Sequence, residues 1–235
     1  MKLSFKTTAL LVIGMLTLWL FASSGATAED EKRSGPILLW GGGFEKISDW
    51  KAFLELCPNG PVVVVTDASA KPNETFAAYK KLFSDTPDRE TVQWSLAQKP
   101  PMALQKAGAV FLCGGKQMRL VEALRQRKES GEELRSAHEA GVGIFGTSAG
   151  AMFLSSQCIT GRKTDDGWEV VEGLGIFEGM CETHFFREGR AKRLRDCARM
   201  TDPVHAYGIP AGNGVLLNAD GDSRAYFSAY KLLLD

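Results

Sequence analysis

The chain has 235 residues, no formal net charge, 44% hydrophobic residues and 24% charged residues. This is the composition of an ordinary soluble globular protein of one or two domains, and it excludes a disordered tail, a collagen-like fibre and a small disulfide scaffold. The 28 basic and 28 acidic residues balance, so nothing points to nucleic acid as a partner; a mean hydropathy of -0.11 with one long apolar run excludes a multi-span membrane protein.

That run stands at the start of the chain. Lys2 and Lys6 precede an apolar stretch over residues 9–22, and Ala26-Thr27-Ala28 follows with the small-x-small pattern of a signal-peptidase site. The run is short for a span of about 20 residues. Residues 1–28 are therefore predicted to be a signal peptide that meets the membrane only transiently. Residues 29–235 would form the exported domain, periplasmic or extracellular, with 207 residues and a formal charge of −2. An uncleaved N-terminal anchor is the alternative. Export permits disulfides, but the five cysteines (Cys57, Cys113, Cys158, Cys181, Cys197) are odd in number and form no C-x-x-C, so they read mainly as small buried apolar residues.

After a polar stretch over residues 29–34, two textures alternate. Residues 37–40 read as a buried strand. Residues 44–56 carry apolar side chains near helical spacing (Phe44, Ile47, Trp50, Phe53, Leu54). Residues 62–66 read as a second strand and residues 74–83 as a helix. Residues 109–113 form the next apolar run, followed by a helical pattern over 118–128 and a polar helix over 132–140 that Gly141 would end. Residues 143–146 are the last such strand, and beyond Gly167 short strands and glycine-rich turns take over. Strand–helix alternation at this pitch predicts a single α/β domain, doubly wound, with a mostly parallel sheet and helices on both faces.

Three of these strands run into glycine clusters: Gly41-Gly42-Gly43, Gly114-Gly115-Lys116-Gln117 and Gly146-Thr147-Ser148-Ala149-Gly150. Parallel strands would bring all three to one rim, where ligands of such sheets bind. The third cluster has the G-x-S-x-G form between a strand and a small-residue helix start, the pattern of a nucleophile elbow. A serine nucleophile needs a base. Of the three histidines, His138 reads as solvated surface and His205 sits in a turn-like stretch. His184 stands in a strand-like apolar patch that enters a basic helix, and is the best-placed candidate. Arg190 and Arg193 are three residues apart on that helix, where they could hold a substrate carboxylate or face solvent paired with Glu188 and Asp196.

Together, Leu39-Trp40-Gly41-Gly42-Gly43, Phe111-Leu112-Cys113-Gly114-Gly115-Lys116-Gln117, Gly146-Thr147-Ser148-Ala149-Gly150-Ala151, and Thr183-His184-Phe185 with Arg190 and Arg193-Leu194 resemble the cyanophycinases and their aspartyl-dipeptidase relatives, the S51 type of serine peptidase. The resemblance runs from about Gly35 to the end of the chain. It implies a class I glutamine amidotransferase-like fold with serine in place of cysteine. It implies Ser148 as nucleophile, His184 as base, the amides of Gly115 and Ala149 as oxyanion hole, and Gln117, Arg190 and Arg193 near the substrate. It further implies a small peptide or polypeptide substrate, Asp-linked or acidic, and a possible homodimer. The pattern departs at Glu182-Thr183, where Asp-Gln is usual, at Glu188, where an arginine is usual, and at Ala211, which takes the place of the acid that orients the histidine. Loss of that orienter can lower the rate about 10⁴-fold. Glu182, Asn213, Asp165 and Asp166 are the candidates to replace it.

The leading expectation is an exported serine hydrolase acting through a Ser–His acyl-enzyme. A peptide-binding pseudoenzyme without the acid is the second, and an α/β-hydrolase esterase the third. No metal-ligand spacing and no phosphate loop appears in the sequence, so no cofactor and no metal is expected.

Overall fold

The computed structural model describes residues 34–43, 47–84, 89–165, 167–217, 223–226 and 230–231, all within one compact unit, Lys32–Asp235. The signal-peptide reading of residues 1–28 lies outside the described residues.

The apolar runs become strands because their side chains are buried on both faces. β1 (Ile37–Trp40), β2 (Val62–Val65), β4 (Ala109–Leu112) and β5 (Gly143–Thr147) are buried along their whole lengths. Such continuous Val/Ile/Leu/Phe runs, rather than alternating ones, suit a parallel sheet covered by helices. β3 (Thr91–Trp94) was not expected, because Gln93 interrupts its apolar run and only Trp94 is buried; it is the edge strand.

The main sheet has the order β11-β10-β1-β5-β4-β2-β3. Its five-strand block β1, β5, β4, β2, β3 is parallel throughout. β10 (Gly214–Leu217) runs antiparallel to β1, and β11 (Ser223–Tyr226) antiparallel to β10. The helices are α1 (Ile47–Glu55), α2 (Pro72–Phe83), α3 (Gln117–Gln126), α4 (Glu129–Glu139), the short α5 (Ala149–Leu154) and α6 (Arg190–Thr201). Phe111 and Phe145 are register partners on neighbouring strands and stack at 5.1 Å. Phe53 of α1 and Tyr79 of α2 pack onto this pair at 5.7 and 4.5 Å, which fixes both helices on one face of the sheet.

Two smaller sheets complete the fold. β8 (Met180–Thr183) runs parallel to β9 (Ala206–Ile209), and β12 (Tyr230–Lys231) pairs antiparallel with β9. β6 (Gln157–Thr164) and β7 (Gly167–Glu172) form an antiparallel hairpin. All five cysteines are free and buried.

Candidate active site

The C-terminal ends of β1, β4 and β5 share one rim, and all three glycine clusters lie along it. At the end of β5, Ser148 adopts φ 50°, ψ −113°, a conformation that a serine rarely takes and that turns the chain sharply from strand into helix. The flanking glycines make the turn possible. A methyl carbon on Gly146 would stand 2.7 Å from the Ala151 nitrogen, and one on Gly150 would stand 2.9 Å from the Cys113 carbonyl oxygen. With hydrogen there instead, α5 starts directly against β5 and β4. The Ser148 amide donates to the Trp40 carbonyl at 2.9 Å, tying the elbow to the end of β1.

His184 immediately follows β8, and it too has a positive φ, 49°. Its own amide donates to the Gly41 carbonyl at 3.0 Å, so the second sheet is laced to the rim of the first. Ser148 Oγ and His184 Nε2 lie 2.9 Å apart, within reach for proton transfer. The other two histidines are elsewhere. The His138 carbonyl accepts from Gly35, at the start of β1 and so at the opposite end of the sheet from Ser148. His138 is half-buried rather than solvated as the sequence suggested, and burial holds its pKa below the usual histidine value. His205 precedes β9, whereas His184 follows the parallel β8, so the two occupy opposite ends of that sheet.

Facing Ser148 is the Gly114-Gly115 turn. A methyl carbon on Gly114 would lie 3.3 Å from Ser148 Cβ, which places this turn directly beside Ser148. Gly115 has φ 147°, and a side chain there would overlap the Ala68 carbonyl, to which Lys116 donates at 2.9 Å. Ala149 opens α5, where the first amides of a helix have no partner inside it. Gly115 follows the glycine that packs on Ser148, and Ala149 follows Ser148 itself, so both stand next to the elbow in the chain.

Comparison with known proteins decides the family. A sequence model of peptidase family S51 matches residues 37–225, most of the chain. The chain belongs to peptidase family S51. Its fold is shared by a crystal structure of a peptidase from an acI-B1 actinobacterium, with a TM-score of 0.58 at 16% identity, covering 86% of this chain and 98% of that one. A putative peptidase E protein of Listeria monocytogenes EGD-e is similar to the same degree, with a TM-score of 0.58 at 14% identity, covering 86% of this chain and 100% of that one. As a member of S51 the chain is a serine-type peptidase, a hydrolase on an α/β fold with a mostly parallel central sheet.

Against that family pattern, the structure rearranges several residues named from sequence. Arg190 and Arg193 do converge, but on Glu182. Arg193 donates through Nε to Glu182 Oε2 at 2.6 Å and through Nη2 to Oε1 at 2.7 Å, and Arg190 Nη1 donates to Oε1 at 2.7 Å. Glu182 is fully buried, and its two oxygens are engaged by guanidinium groups. Arg193 is also buried and lies over the Trp168 ring at 5.4 Å. Glu182 is thus part of an ion cluster and does not orient His184. The physical reason is the end of the strand: β8 stops at Thr183 and the chain turns at His184 with its positive φ, while Glu182, still within β8, is held by the arginines of α6.

The other candidates for third member are placed as follows. Asn213 donates its side-chain amide to the Ala211 carbonyl at 2.9 Å. Asp165 is exposed at the tip of the β6–β7 hairpin, and Asp166 lies outside the described residues. His184 Nδ1 is buried and makes no hydrogen bond among the described residues. Gln117 lies at the start of α3 and is half-buried; its amide donates to the Ile159 carbonyl at 3.2 Å and approaches Met152 Sδ at 3.1 Å, joining α3 to β6 and α5. Burial first, then the positive charges of Arg187 and Arg190, hold the His184 pKa below the usual histidine value. Arg187, exposed and three residues beyond the histidine, stands next to Glu188, where the family pattern has an arginine, and its charge acts on His184. Among the described residues no cluster could hold a metal ion.

Proposed function

We propose that this S51 peptidase is an exported enzyme that cleaves peptide or isopeptide bonds of acidic or Asp-linked peptides through a Ser148–His184 acyl-enzyme. The single observation that carries the reading is the 2.9 Å contact between Ser148 Oγ and His184 Nε2 at the elbow. Burial and the nearby arginines favour the neutral His184 ring, whose Nε2 accepts the hydroxyl proton while Oγ bonds to the scissile carbonyl carbon. The resulting oxyanion is received by the amides of Gly115 and Ala149. The carbon–nitrogen bond then breaks as the imidazolium returns its proton to the leaving amine, and water hydrolyses the ester by the same route in reverse. Acidic substrates are favoured by charge. Exposed Arg187 and quarter-exposed Arg190 lie close enough to His184 to disfavour imidazolium, and a bound carboxylate would offset them.

The test is acylation by a fluorophosphonate probe, followed by turnover on a panel of α- and β-linked Asp peptides. Ser148→Ala should abolish labelling, and equal labelling of wild type and variant would end this reading. N-terminal mass of protein recovered from the exporting cell should begin at Glu29. One observation favours a second reading: the unpartnered His184 Nδ1 suits a peptide-binding pseudoenzyme. Peptide binding with no labelling and no turnover by the wild type would establish that alternative. The esterase reading falls away with the family assignment.

A further inference from the structure

With the proposed dyad reading as its basis, we infer that Gly42 is the positioning residue that holds the His184 ring on Ser148, in the role that a third-member acid would otherwise fill. Among the described residues the ring has no polar partner on its far side, since Nδ1 is buried without a hydrogen bond. It is nevertheless held in place, by packing on one side and by backbone bonds on the other. A methyl carbon on Gly42 would overlap His184 Cε1 and stand 2.7 Å from Nε2 and 3.1 Å from Nδ1. The imidazole therefore rests directly on the bare Cα of Gly42, closer than any side chain would allow.

The shelf itself is rigid. Gly41 donates to the Asn213 carbonyl at 2.9 Å and Gly212 donates to the Gly42 carbonyl at 2.7 Å, so the turn 210–213 clamps the shelf from behind. The histidine is fixed to the same support. Its amide donates to the Gly41 carbonyl at 3.0 Å, the Phe185 amide donates to Ile209 at 3.2 Å, and the Arg187 amide returns to the His184 carbonyl at 2.9 Å. The positive φ of 49° at His184 persists because these bonds over-determine it. Packing and backbone bonds supply orientation, which is one of the two roles of an acid. They supply no charge to stabilise imidazolium.

Gly43 is the natural control. Its φ of 76° carries the same left-handed strain as the 98° of Gly42, yet among the described residues a methyl carbon there meets Ala211 Cβ and the Gly212 nitrogen, both at an ordinary 3.6 Å. Fluorophosphonate acylation of Ser148 is measured for wild type, Gly42→Ala and Gly43→Ala. Gly42→Ala should lower the maximal acylation rate about 10²-fold with the probe's half-saturation concentration unchanged, the effect of displacing a reacting group by about an ångström. Gly43→Ala should stay within about threefold of wild type, as an ordinary contact implies. Equal losses in the two variants would assign the effect to backbone strain and overturn the inference. An unlabelled wild type would instead sink the dyad reading.

Unfolding provides a second, independent measurement that needs no activity. Gly42→Ala is compared in the wild-type and His184→Ala backgrounds. Overlap with the ring predicts that removing the imidazole restores most of the lost stability, a positive coupling in the cycle. Additive effects would show that Gly42 does not bear on the ring, and the inference would fail.

Discussion

Replacing Glu182 by glutamine tests whether the buried acid serves the fold or the histidine. Its carboxylate accepts three hydrogen bonds, at 2.6, 2.7 and 2.7 Å, and is completely buried. Glutamine keeps the shape but turns an NH2 group toward a guanidinium and leaves two arginines facing no negative charge. Charge-assisted bonds contribute about 1.5–3 kcal/mol each, so the three set an upper bound of roughly 5–9 kcal/mol. The smaller figure of about 3–5 kcal/mol for breaking a buried pair is the better expectation. Arg190 is 25% exposed and can regain water, whereas Arg193 at 9% cannot. For a domain of this size each kcal/mol lowers the midpoint by about 2–4 °C, so the variant should melt roughly 6–20 °C lower. The assay is thermal unfolding alongside fluorophosphonate labelling at a temperature where both proteins are folded. Labelling should persist, because Glu182 does not touch His184. A loss under about 1 kcal/mol, the range of a surface pair, would refute the reasoning. So would an abolished acylation rate with an unchanged melting point, since that would place Glu182 on the histidine after all.

The pH dependence of acylation should show an acid limb below the usual histidine value of about 6.5, because burial, Arg187 and Arg190 all disfavour imidazolium and the neutral ring is the active form. Arg187→Glu removes one of these charges and should move the limb upward; an unmoved limb would contradict the electrostatic assignment. Stability should fall as pH drops through about 6.5, where the unfolded chain takes up protons that His138 and His184 resist when folded, and level off below their folded values. Gly115→Ala drives a methyl group into the Ala68 carbonyl and should lower acylation about 10²–10³-fold by dismantling the oxyanion turn, with Ser148 still in place. Alkylation at pH 8 should label no cysteine in the native protein and all five once unfolded; burial pushes Cys57, Cys113 and Cys158 up to about 12. Rapid native labelling of any of the five would contradict their burial.

Much of this arrangement is legible in the chain. The strand β1 falls on residues 37–40 as its apolar run requires, and β2, β4 and β5 fall within one residue of expectation. A strand buried on both faces tolerates only apolar side chains, so its sequence marks it directly. The elbow is equally local: the need for hydrogen at Gly146 and Gly150 is written into G-x-S-x-G itself. Edge strands β3 and β6 are not legible in this way, because polar residues such as Gln93 and Lys163 interrupt their apolar runs.

What the sequence by itself determined is therefore the parallel sheet, the rim of glycine turns, the elbow that carries Ser148 and, through its motifs, membership of peptidase family S51. Each of these depends on residues close together in the chain. What only the tertiary structure decided is partnership. The pairing of Arg190 and Arg193 with Glu182 and the seat of the His184 ring on Gly42 join segments from two separate strands and a helix. Local sequence sets which side chains are available. Which of them meet depends on how β1, β8 and α6 are brought together, and that is fixed only when the two sheets pack.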